Sequence, residues 1–260
     1  MRRIACEGAT LSPVCFQGRQ AMAGGEMRFR GIVWIVLVVL LFLALIGFFL
    51  TPDRSQVQRF ENLPWQIEVI AEDHTRVLGI ELGQTTLMEL ARRLPVPDIR
   101  LFVEPDGSRT VEAFYANARI PPFEANLVLV PALDEDGMAF IWEERTSERP
   151  MPSGARRYGL SDDALRKLGR TPAVEMSYIP RARWDATLLR ERFGDPAGHL
   201  RIGDDQEYWL YPDVGLAIMV PIGRGRVLMH YVTMERWETV LDRLEQAGER
   251  LLEAAGGGAS

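Results

Sequence analysis

The longest apolar stretch of the chain covers residues 31–50 and contains no charged side chain. Sixteen of its twenty residues are Ile, Leu, Val or Phe, and side chains of these types favour insertion into a bilayer by on the order of 5–10 kcal/mol in total. Twenty helical residues span about 30 Å, which is the thickness of the hydrocarbon core. The pattern predicts a transmembrane helix over residues 31–50, with a buried core helix or a pair of strands as the alternatives.

The charges that flank this stretch predict its orientation. Arg28 and Arg30 precede it, and positively charged flanks stay in the cytoplasm. Residues 1–30 are therefore expected in the cytoplasm, and residues 51–260 in the periplasm of a bacterium, anchored at the inner membrane. A cleaved signal peptide is the alternative, although its apolar region usually has only 7–15 residues.

Both cysteines, Cys6 and Cys15, precede the apolar stretch. In the cytoplasm their thiols would stay reduced. Because no cysteine follows the stretch, neither a disulfide nor a thiolate metal site is predicted in the remaining chain. Translation from Met27 instead of Met1 would give the compact layout of a signal anchor, and both starts stay open.

After the apolar stretch, a polar stalk over residues 51–65 leads into a first unit. Residues 66–71 alternate with period two, which predicts a strand. Thr86 and Glu89 have the spacing of a capping box and predict a helix that ends before Pro95. Alternating patterns then predict three more strands, with a turn at Pro105-Asp106-Gly107 between the first two; they cover residues 99–104, 110–116 and 125–130.

An acidic turn and a charged connector follow. Asp134-Glu135-Asp136-Gly137 is predicted to be a solvated turn before residues 138–142, because the cluster lacks the further ligands of an EF-hand calcium loop. The first unit therefore covers residues 66–143. Residues 144–158 are charged and contain two prolines, which predicts a connector between two halves.

The second half repeats the order of the first. Ser161 is predicted to cap a short helix that ends at Gly169, and Asp185 a second helix that ends at Gly194. Four strands with short connections follow, an arrangement typical of antiparallel sheets; they cover residues 199–202, 207–211, 216–220 and 227–232. A shift of 99 residues superposes Thr86 on Asp185 and predicts a divergent internal repeat.

An amphipathic helix from about residue 235 to residue 254 closes the chain. Its apolar stripe predicts packing on the parent fold, with a homo-oligomer contact as the alternative. The predicted class is thus α+β, with an N-terminal transmembrane helix, two tandem helix-plus-antiparallel-sheet units and a C-terminal amphipathic helix. The predicted boundaries are 1–30 cytoplasmic segment, 31–50 transmembrane helix, 51–65 stalk, 66–143 first unit, 144–158 connector, 159–233 second unit and 234–260 C-terminal helix and tail.

Residues 82–90, LGQTTLMEL, resemble the opening of the SmpA/OmlA family, to which the BamE lipoproteins belong. Residues 193–196, FGDP, and 208–216, YWLYPDVGL, resemble the helix end and central strands of the same group. Two such units would be similar in architecture to beta-lactamase inhibitory protein, a binding module without catalytic activity. The chain departs from the family in Pro95-Val96-Pro97 and in lacking a lipobox. The resemblance, over residues 66–232, implies a protein-binding role at the envelope, with assembly as one such role.

Composition narrows the classes of partner. Residues 51–260 carry 25 basic and 34 acidic side chains, a formal charge of −9. Phosphates of nucleic acids and anionic lipid headgroups would repel such a chain, so a broad basic surface for either is not expected. Lys167 is the only lysine. A catalytic site with a lysine nucleophile could therefore form only around this residue.

Candidate catalytic groups are few. The three histidines lack a short spacing suited to zinc, and no Gly-x-Ser-x-Gly motif is present. No catalytic, cofactor-binding or metal-ligating residue is therefore predicted. The carboxylate pairs Asp162/Asp163 and Asp204/Asp205 leave a small periplasmic hydrolase as the alternative function.

Aromatic residues supply the predicted binding face. Tyr208, Trp209 and Tyr211 lie on or near one predicted sheet, and Trp237 lies in the last predicted helix. The expected function is that of a membrane-anchored, non-catalytic envelope protein, which needs no cofactor and binds a protein partner through these four residues.

Overall fold

The chain divides into the compact units Met1–Gln58 and Arg59–Ser260. The computed structural model describes residues 61–256, with side chains to residue 248, together with Trp34 and residues 37–43. In the N-terminal unit, Trp34 and residues 37–43 are helical, and each of these apolar side chains is between 51% and 70% exposed.

Most of the predicted transmembrane helix, residues 31–50, lies outside the described residues, as do residues 1–30 and 51–60. No helix within the described part of the chain is both long and apolar enough to cross a bilayer. The transmembrane helix, the start site and the stalk over residues 51–60 therefore stay predictions.

Residues 61–256 contain thirteen strands. They are β1 (Glu68–Ala71), β2 (His74–Val77), β3 (Ile80–Leu82), β4 (Asp98–Val103), β5 (Arg109–Ile120), β6 (Phe123–Pro131), β7 (Arg145–Pro150), β8 (Arg156–Leu160), β9 (Ala173–Pro180), β10 (Gly198–Ile202), β11 (Gln206–Tyr211), β12 (Leu216–Pro221) and β13 (Leu228–Val232).

The same residues form five α-helices and two 3-10 turns. The helices are α1 (Leu87–Leu90), α2 (Glu135–Glu143), α3 (Asp162–Gly169), α4 (Ala186–Phe193) and α5 (Trp237–Gly256). The 3-10 turns are Pro212–Val214 and Met234–Arg236.

The strands pair into two antiparallel sheets. One sheet has the order β1-β2-β3, and the other has ten strands in the order β10-β11-β12-β13-β9-β6-β5-β4-β8-β7. This arrangement confirms the predicted α+β class with a large antiparallel sheet and several helices. Apart from β1, which lies in the small sheet, the predicted strands of the two units belong to one continuous sheet.

Strand β9 joins the two halves. It pairs with β13 on one side and with β6 on the other. No strand is predicted at residues 173–180, although their alternation places Met176 and Tyr178 in the interior. The meander predicted from β10 to β13 is confirmed, since each strand pairs with the next.

One face of the ten-stranded sheet is covered from β11 to β8 and forms the main core. Leu127, Met176 and Tyr231 are among the fully buried residues that point to this side. The small sheet and helices α1 to α4 cover it, mainly with Ile80, Leu82, Leu87, Leu90, Ile141, Ala164, Leu168 and Leu189. Each large apolar side chain buried here stabilises the fold by roughly 1.5–3 kcal/mol.

Helix α5 covers part of the opposite face. Trp237 and Val240 pack with Ala217 and Val232 into a second core, which Tyr208, Leu210 and Leu244 border. The predicted packing of the amphipathic stripe on the parent fold is thereby confirmed for its first two turns. Beyond β9, the apolar residues of β6, β5 and β4 that face this side belong to neither core cluster.

Two segments differ from their predictions. Residues 134–137 do not form a free turn: Asp134 accepts a hydrogen bond from Gly137 N at 2.7 Å and so caps α2, whose first turn holds Glu135 and Asp136. Carboxylates stabilise helix N-termini, which explains the acidic run. The predicted connector, residues 144–158, contains the edge strand β7 and the start of its partner β8, and charged and proline residues are tolerated in edge strands.

The predicted helix caps are present. Thr86 and Glu89 form a complete capping box, although α1 has only one regular turn, and Ser161 and Asp185 cap α3 and α4. Leu90 and Leu189, which the 99-residue shift superposes, are both fully buried. The two copies therefore agree at a cap and at a core position.

Gly83 links the small sheet to β9 and lies in close contact with the β1–β2 turn, and a substitution tests this close contact. Gly83 N donates to Ala173 O at 2.7 Å, φ is +90°, and an added Cβ would overlap the carbonyl oxygen of Asp73. We expect Gly83→Ala to lower the free energy of unfolding by about 2–5 kcal/mol, from backbone strain plus overlap. Urea denaturation followed by circular dichroism measures the loss.

Gly107→Ala is the matched control. Gly107 has a similar φ of +85°, but nothing lies within 4 Å of an added Cβ. Its expected loss is about 1–2 kcal/mol, from backbone strain alone. Equal losses in the two variants would contradict the close approach at Gly83.

Candidate binding face

The part of the ten-stranded sheet that α5 leaves uncovered presents alternate residues of β4, β5 and β6 to the surface. We call this the open sheet face and define it by Arg100, Phe102, Glu112, Phe114, Val128 and Val130. Their neighbours in sequence, such as Leu101, Ala113 and Leu129, point into the main core. The four apolar members of the face belong to neither core cluster.

Register brings the members of the open sheet face side by side. Phe114 lies opposite Val128, and Arg100 lies opposite Glu112. A shallow cavity of about 160 Å³ opens between the two phenylalanines and is bordered by Asp98, Arg100, Glu112 and Arg157. Phe114 is 37% exposed. Exposed aromatic and aliphatic groups ringed by charges of both signs are typical of protein-binding surfaces.

A buried carboxylate lies where the open sheet face meets α5. Glu175 of β9 is 1% exposed, and its oxygens accept from Arg236 Nη2 at 2.8 Å and from Arg243 Nη2 at 2.8 Å. His230 Nε2 lies 3.3 Å from Oε2, and His230 Nδ1 lies 2.8 Å from Ser177 Oγ. We call these five residues the Glu175 network.

The network sets the protonation of Glu175. Burial alone would raise its pKa, but the hydrogen bonds and charges of His230 and Arg243 outweigh burial and hold the pKa far below the usual range of a carboxyl. The carboxylate is therefore ionised, and it fastens α5 and the preceding 3-10 turn to the central strand of the sheet.

The pKa of Glu112 is shifted in the opposite direction from that of Glu175. Its burial raises its pKa, and the negative charges of Glu104 and Glu175 add to the rise, whereas His230 acts against it. A half-buried carboxyl on the open sheet face thus gives up its proton less readily than an ordinary one.

Ser177, His230 and Glu175 have the side-chain types of a hydrolase triad, but their setting differs from a catalytic one. Ser177 and His230 lie directly opposite each other in β9 and β13, two strands paired on both sides. Their backbone N–H groups are engaged in the ladders and cannot form an oxyanion hole there. The carboxylate is shared with two arginines. The arrangement favours a structural role.

The structure does not bring the four residues of the predicted binding face together on the surface. Trp209 and Tyr211 are buried in the main core, whereas Tyr208 and Trp237 belong to the second core on the other side of the sheet. Alternation along β11 sends its aromatics to both faces, and both faces are covered at this strand. Phe102 and Phe114 alternate with core residues along β4 and β5 as regularly as the aromatics do along β11, but they are partly exposed.

The carboxylate pairs lie at the predicted exposed places. Asp162 and Asp163 are in the first turn of α3, and Asp204 and Asp205 are in the turn between β10 and β11. Within the described residues, no group of three or more His, Cys, Asp and Glu side chains is placed to hold a metal ion.

A second concave surface lies between α1 and α3. It has a volume of about 730 Å³, and its apolar lining includes Leu87, Met88, Val96 and Leu165. Val96 is 88% exposed. Arg100 belongs both to this groove and to the open sheet face.

Comparison with known proteins gives no relative: no family model, no curated protein and no solved structure matches the chain.

Substitution of Glu175 tests the network. We expect Glu175→Gln to lower the free energy of unfolding by about 2–4 kcal/mol, because two arginines and a histidine lose a buried charge partner. The contribution of Glu175 should be present above the ordinary carboxyl value of 4.5 and be lost as pH falls below it, since its pKa is lowered in the folded state. Chemical denaturation at several pH values measures both effects.

Glu68→Gln is the control for this variant. Glu68 pairs with Arg76 at 2.9 Å on the surface, and such pairs contribute about 0–1 kcal/mol. If both variants lost the same small amount, the buried carboxylate would not hold α5.

Substitution of Glu112 should stabilise the protein near neutral pH, whereas substitution of Glu175 should destabilise it. Because its pKa is raised in the folded state, ionisation of Glu112 destabilises the protein as pH rises through and above the ordinary value of 4.5. We expect Glu112→Gln to raise the melting temperature at pH 7.5 and to change it little at pH 4. A gain of equal size at both pH values would contradict the assignment.

Proposed function

We propose that this protein is a single-pass envelope protein of the bacterial inner membrane, and that it binds a protein partner in the periplasm without catalysing a reaction. The open sheet face is the observation that carries this proposal. The proposed role in envelope assembly rests on the resemblance to the SmpA/OmlA family and stays a prediction.

Membrane anchoring is supported by residues 31–50. The stretch is uncharged, and its described members are helical with more than half of each apolar side chain exposed. Eight such side chains in water would be costly, because each large apolar group is worth roughly 1.5–3 kcal/mol when removed from water. A lipid environment relieves this cost.

Protein binding is supported by the contrast between the two halves of one sheet surface. Helix α5 buries Ala217 and Val232 over β12 and β13, whereas Phe102, Phe114 and Val128 remain in part exposed over β4 to β6. A partner that covered these residues would complete the burial that α5 begins. The charges of Arg100 and Glu112 would then fix its orientation, since charged groups at an interface contribute mainly specificity.

Catalysis has weaker support. The acidic pairs of α3 and of the β10–β11 turn are solvated, and the Glu175 network fastens a helix. A carboxylate-dependent hydrolase requires two acids facing a common cleft, and the pairs considered for that role are neighbours in sequence at exposed turns.

Site-specific photo-crosslinking in intact cells tests the proposal. A photoreactive phenylalanine analogue at Phe114 should give a discrete adduct, and Phe114→Glu should weaken binding of the captured partner at least tenfold, because a charge would replace an apolar contact at the centre of the face. Binding of the purified full-length protein to the identified partner measures the change.

Position 96 is the matched control. Val96 is apolar and 88% exposed, but it lies outside the open sheet face. The analogue there should give a different pattern of adducts or none, and Val96→Glu should leave the affinity unchanged. The proposal is contradicted if the analogue at position 114 yields no adduct, or if both substitutions weaken binding equally.

A further inference from the structure

Helix α3 lies between two concave parts of the surface. On one side is the groove of about 730 Å³ that lies between α1 and α3. On the other side is a hollow of about 570 Å³, bordered by Phe140, Lys167 and Thr171. Arg166 and Arg170 line both of them. Helix α3 therefore forms a ridge with a depression on each side.

The groove side of this ridge is a single face of the helix. Asp162, Leu165, Arg166, Gly169 and the C-cap residue Arg170 line the groove. Their spacing of three or four residues places them side by side along the helix. The opposite face of α3 packs into the main core. The ridge is thus held firmly from below, while its groove side is open to solvent.

Exposed apolar side chains cluster at the groove. Residues 61–248 contain seven large apolar side chains that are exposed, and three of them line this groove. They are Met88, Val96 and Leu165, which are 50%, 88% and 36% exposed. A cluster of exposed apolar groups with polar groups around it is typical of a surface that binds another protein.

The charges of the ridge are ordered along its length. Asp162 and Asp163 lie in the first turn of α3, Arg166 and Lys167 lie in its last turn, and Arg170 follows as the C-cap. Asp163 pairs with Arg166. Asp162 and Arg170 are exposed, and neither has an ion-pair partner in the part of the chain that the structure describes. The two ends of the ridge therefore carry opposite charges that are not compensated.

The other charges of the groove are paired. Arg100 Nη2 lies 2.7 Å from an oxygen of Asp98, and with Arg166 bound to Asp163 only the charges of Asp162 and Arg170 remain. A groove with one free acid and one free base does not select an anionic or a cationic ligand. It fits a surface that carries the same two charges in reverse order.

We propose that the ridge and the groove form the contact between two copies of this chain in a symmetric dimer. In a two-fold dimer the same surface serves both copies. Two α3 helices that meet antiparallel place Asp162 beside Arg170 of the partner subunit, and the symmetry repeats this pair. Each ridge then enters the groove of the other copy and covers Met88, Val96 and Leu165.

The antiparallel arrangement also suits the middle of the helix. The two-fold axis passes near Leu165 and Arg166, which lie between the two ends of the ridge. Leu165 then meets the apolar lining of the other copy, and the charge of Arg166 is compensated by Asp163 of its own copy. Antiparallel helices in addition bring opposite ends of their dipoles together.

This contact differs from the open sheet face. The two surfaces share only Arg100, so the inference goes beyond the proposed function and does not depend on it. Loss of self-association and loss of partner binding can be measured separately. A dimer formed through the ridge would carry two open sheet faces.

Charge reversal across the two-fold axis tests the contact. Sedimentation velocity of the purified full-length protein in a mild non-ionic detergent measures the dissociation constant of the dimer. We expect Asp162→Arg and Arg170→Asp each to raise it about fivefold, because each change sets two pairs of like charges opposite each other. The double variant restores both pairs with reversed signs, so its dissociation constant should return to within about twofold of the unmodified value.

Asp204→Arg is the matched control. It makes the same change of charge at an exposed residue of the β10–β11 turn, and it should leave the dimer unchanged. Residues 31–50 are identical in all variants, so association through that stretch affects every sample equally. Circular dichroism of each variant verifies that the fold is retained.

Single cysteines locate the two-fold axis. In a Cys6→Ser, Cys15→Ser background, oxidation should convert most of the Leu165→Cys protein into a disulfide-linked dimer, because position 165 lies near the axis. Ile222→Cys is the control, since Ile222 is also an exposed apolar residue but lies outside the ridge and the groove. It should remain largely monomeric.

Four outcomes overturn the inference. They are a protein that is monomeric at every concentration, a double variant that associates as weakly as the single variants, equal crosslinking at positions 165 and 222, and a dimer that the substitutions at positions 162 and 170 leave intact. If the Leu165→Cys protein instead forms a disulfide with a different protein in intact cells, the groove belongs to that protein, and the dimer is likewise excluded.

Discussion

The position of helix α5 on the sheet depends on one buried carboxylate, that of Glu175. Glu175 lies on the central strand of the ten-stranded sheet, where burial penalises its charge, and Arg236 and Arg243 compensate for that penalty from α5 and the turn before it. An unpaired charge at this depth would be strongly destabilising. These ion pairs therefore hold α5 against one part of the sheet surface, and the surface of β4, β5 and β6 is left open.

The open sheet face is a consequence of that position. A ten-stranded sheet is wider than one helix, so α5 protects β11 to β13 and leaves Phe102 and Phe114 on the surface of β4 and β5. The other side of the sheet is covered from β11 to β8 by four helices and a small sheet.

Local patterns predicted the caps at Thr86, Ser161 and Asp185, the strands from β10 to β13 and the α+β class, because these features depend on residues close in sequence. Strand β9 and the β7–β8 hairpin were missed, since pairing partners at a distance decide them. The placement of the aromatic residues could not be predicted for a related reason: alternation shows that Trp209 and Tyr208 point to opposite sides, but not that both sides are covered. The ion pairs of Glu175 join residues about sixty positions apart, which no local pattern reveals.

Strand β7 gives the sheet a closed border. Its sequence, RTSERP, places Arg145, Glu148 and Arg149 along the outermost backbone and ends in a proline, which has no N–H to donate. Charged side chains and proline discourage another chain from adding a strand at such an edge. A molecule that approaches from this side meets a barrier to backbone pairing, so any recognition there depends on side chains.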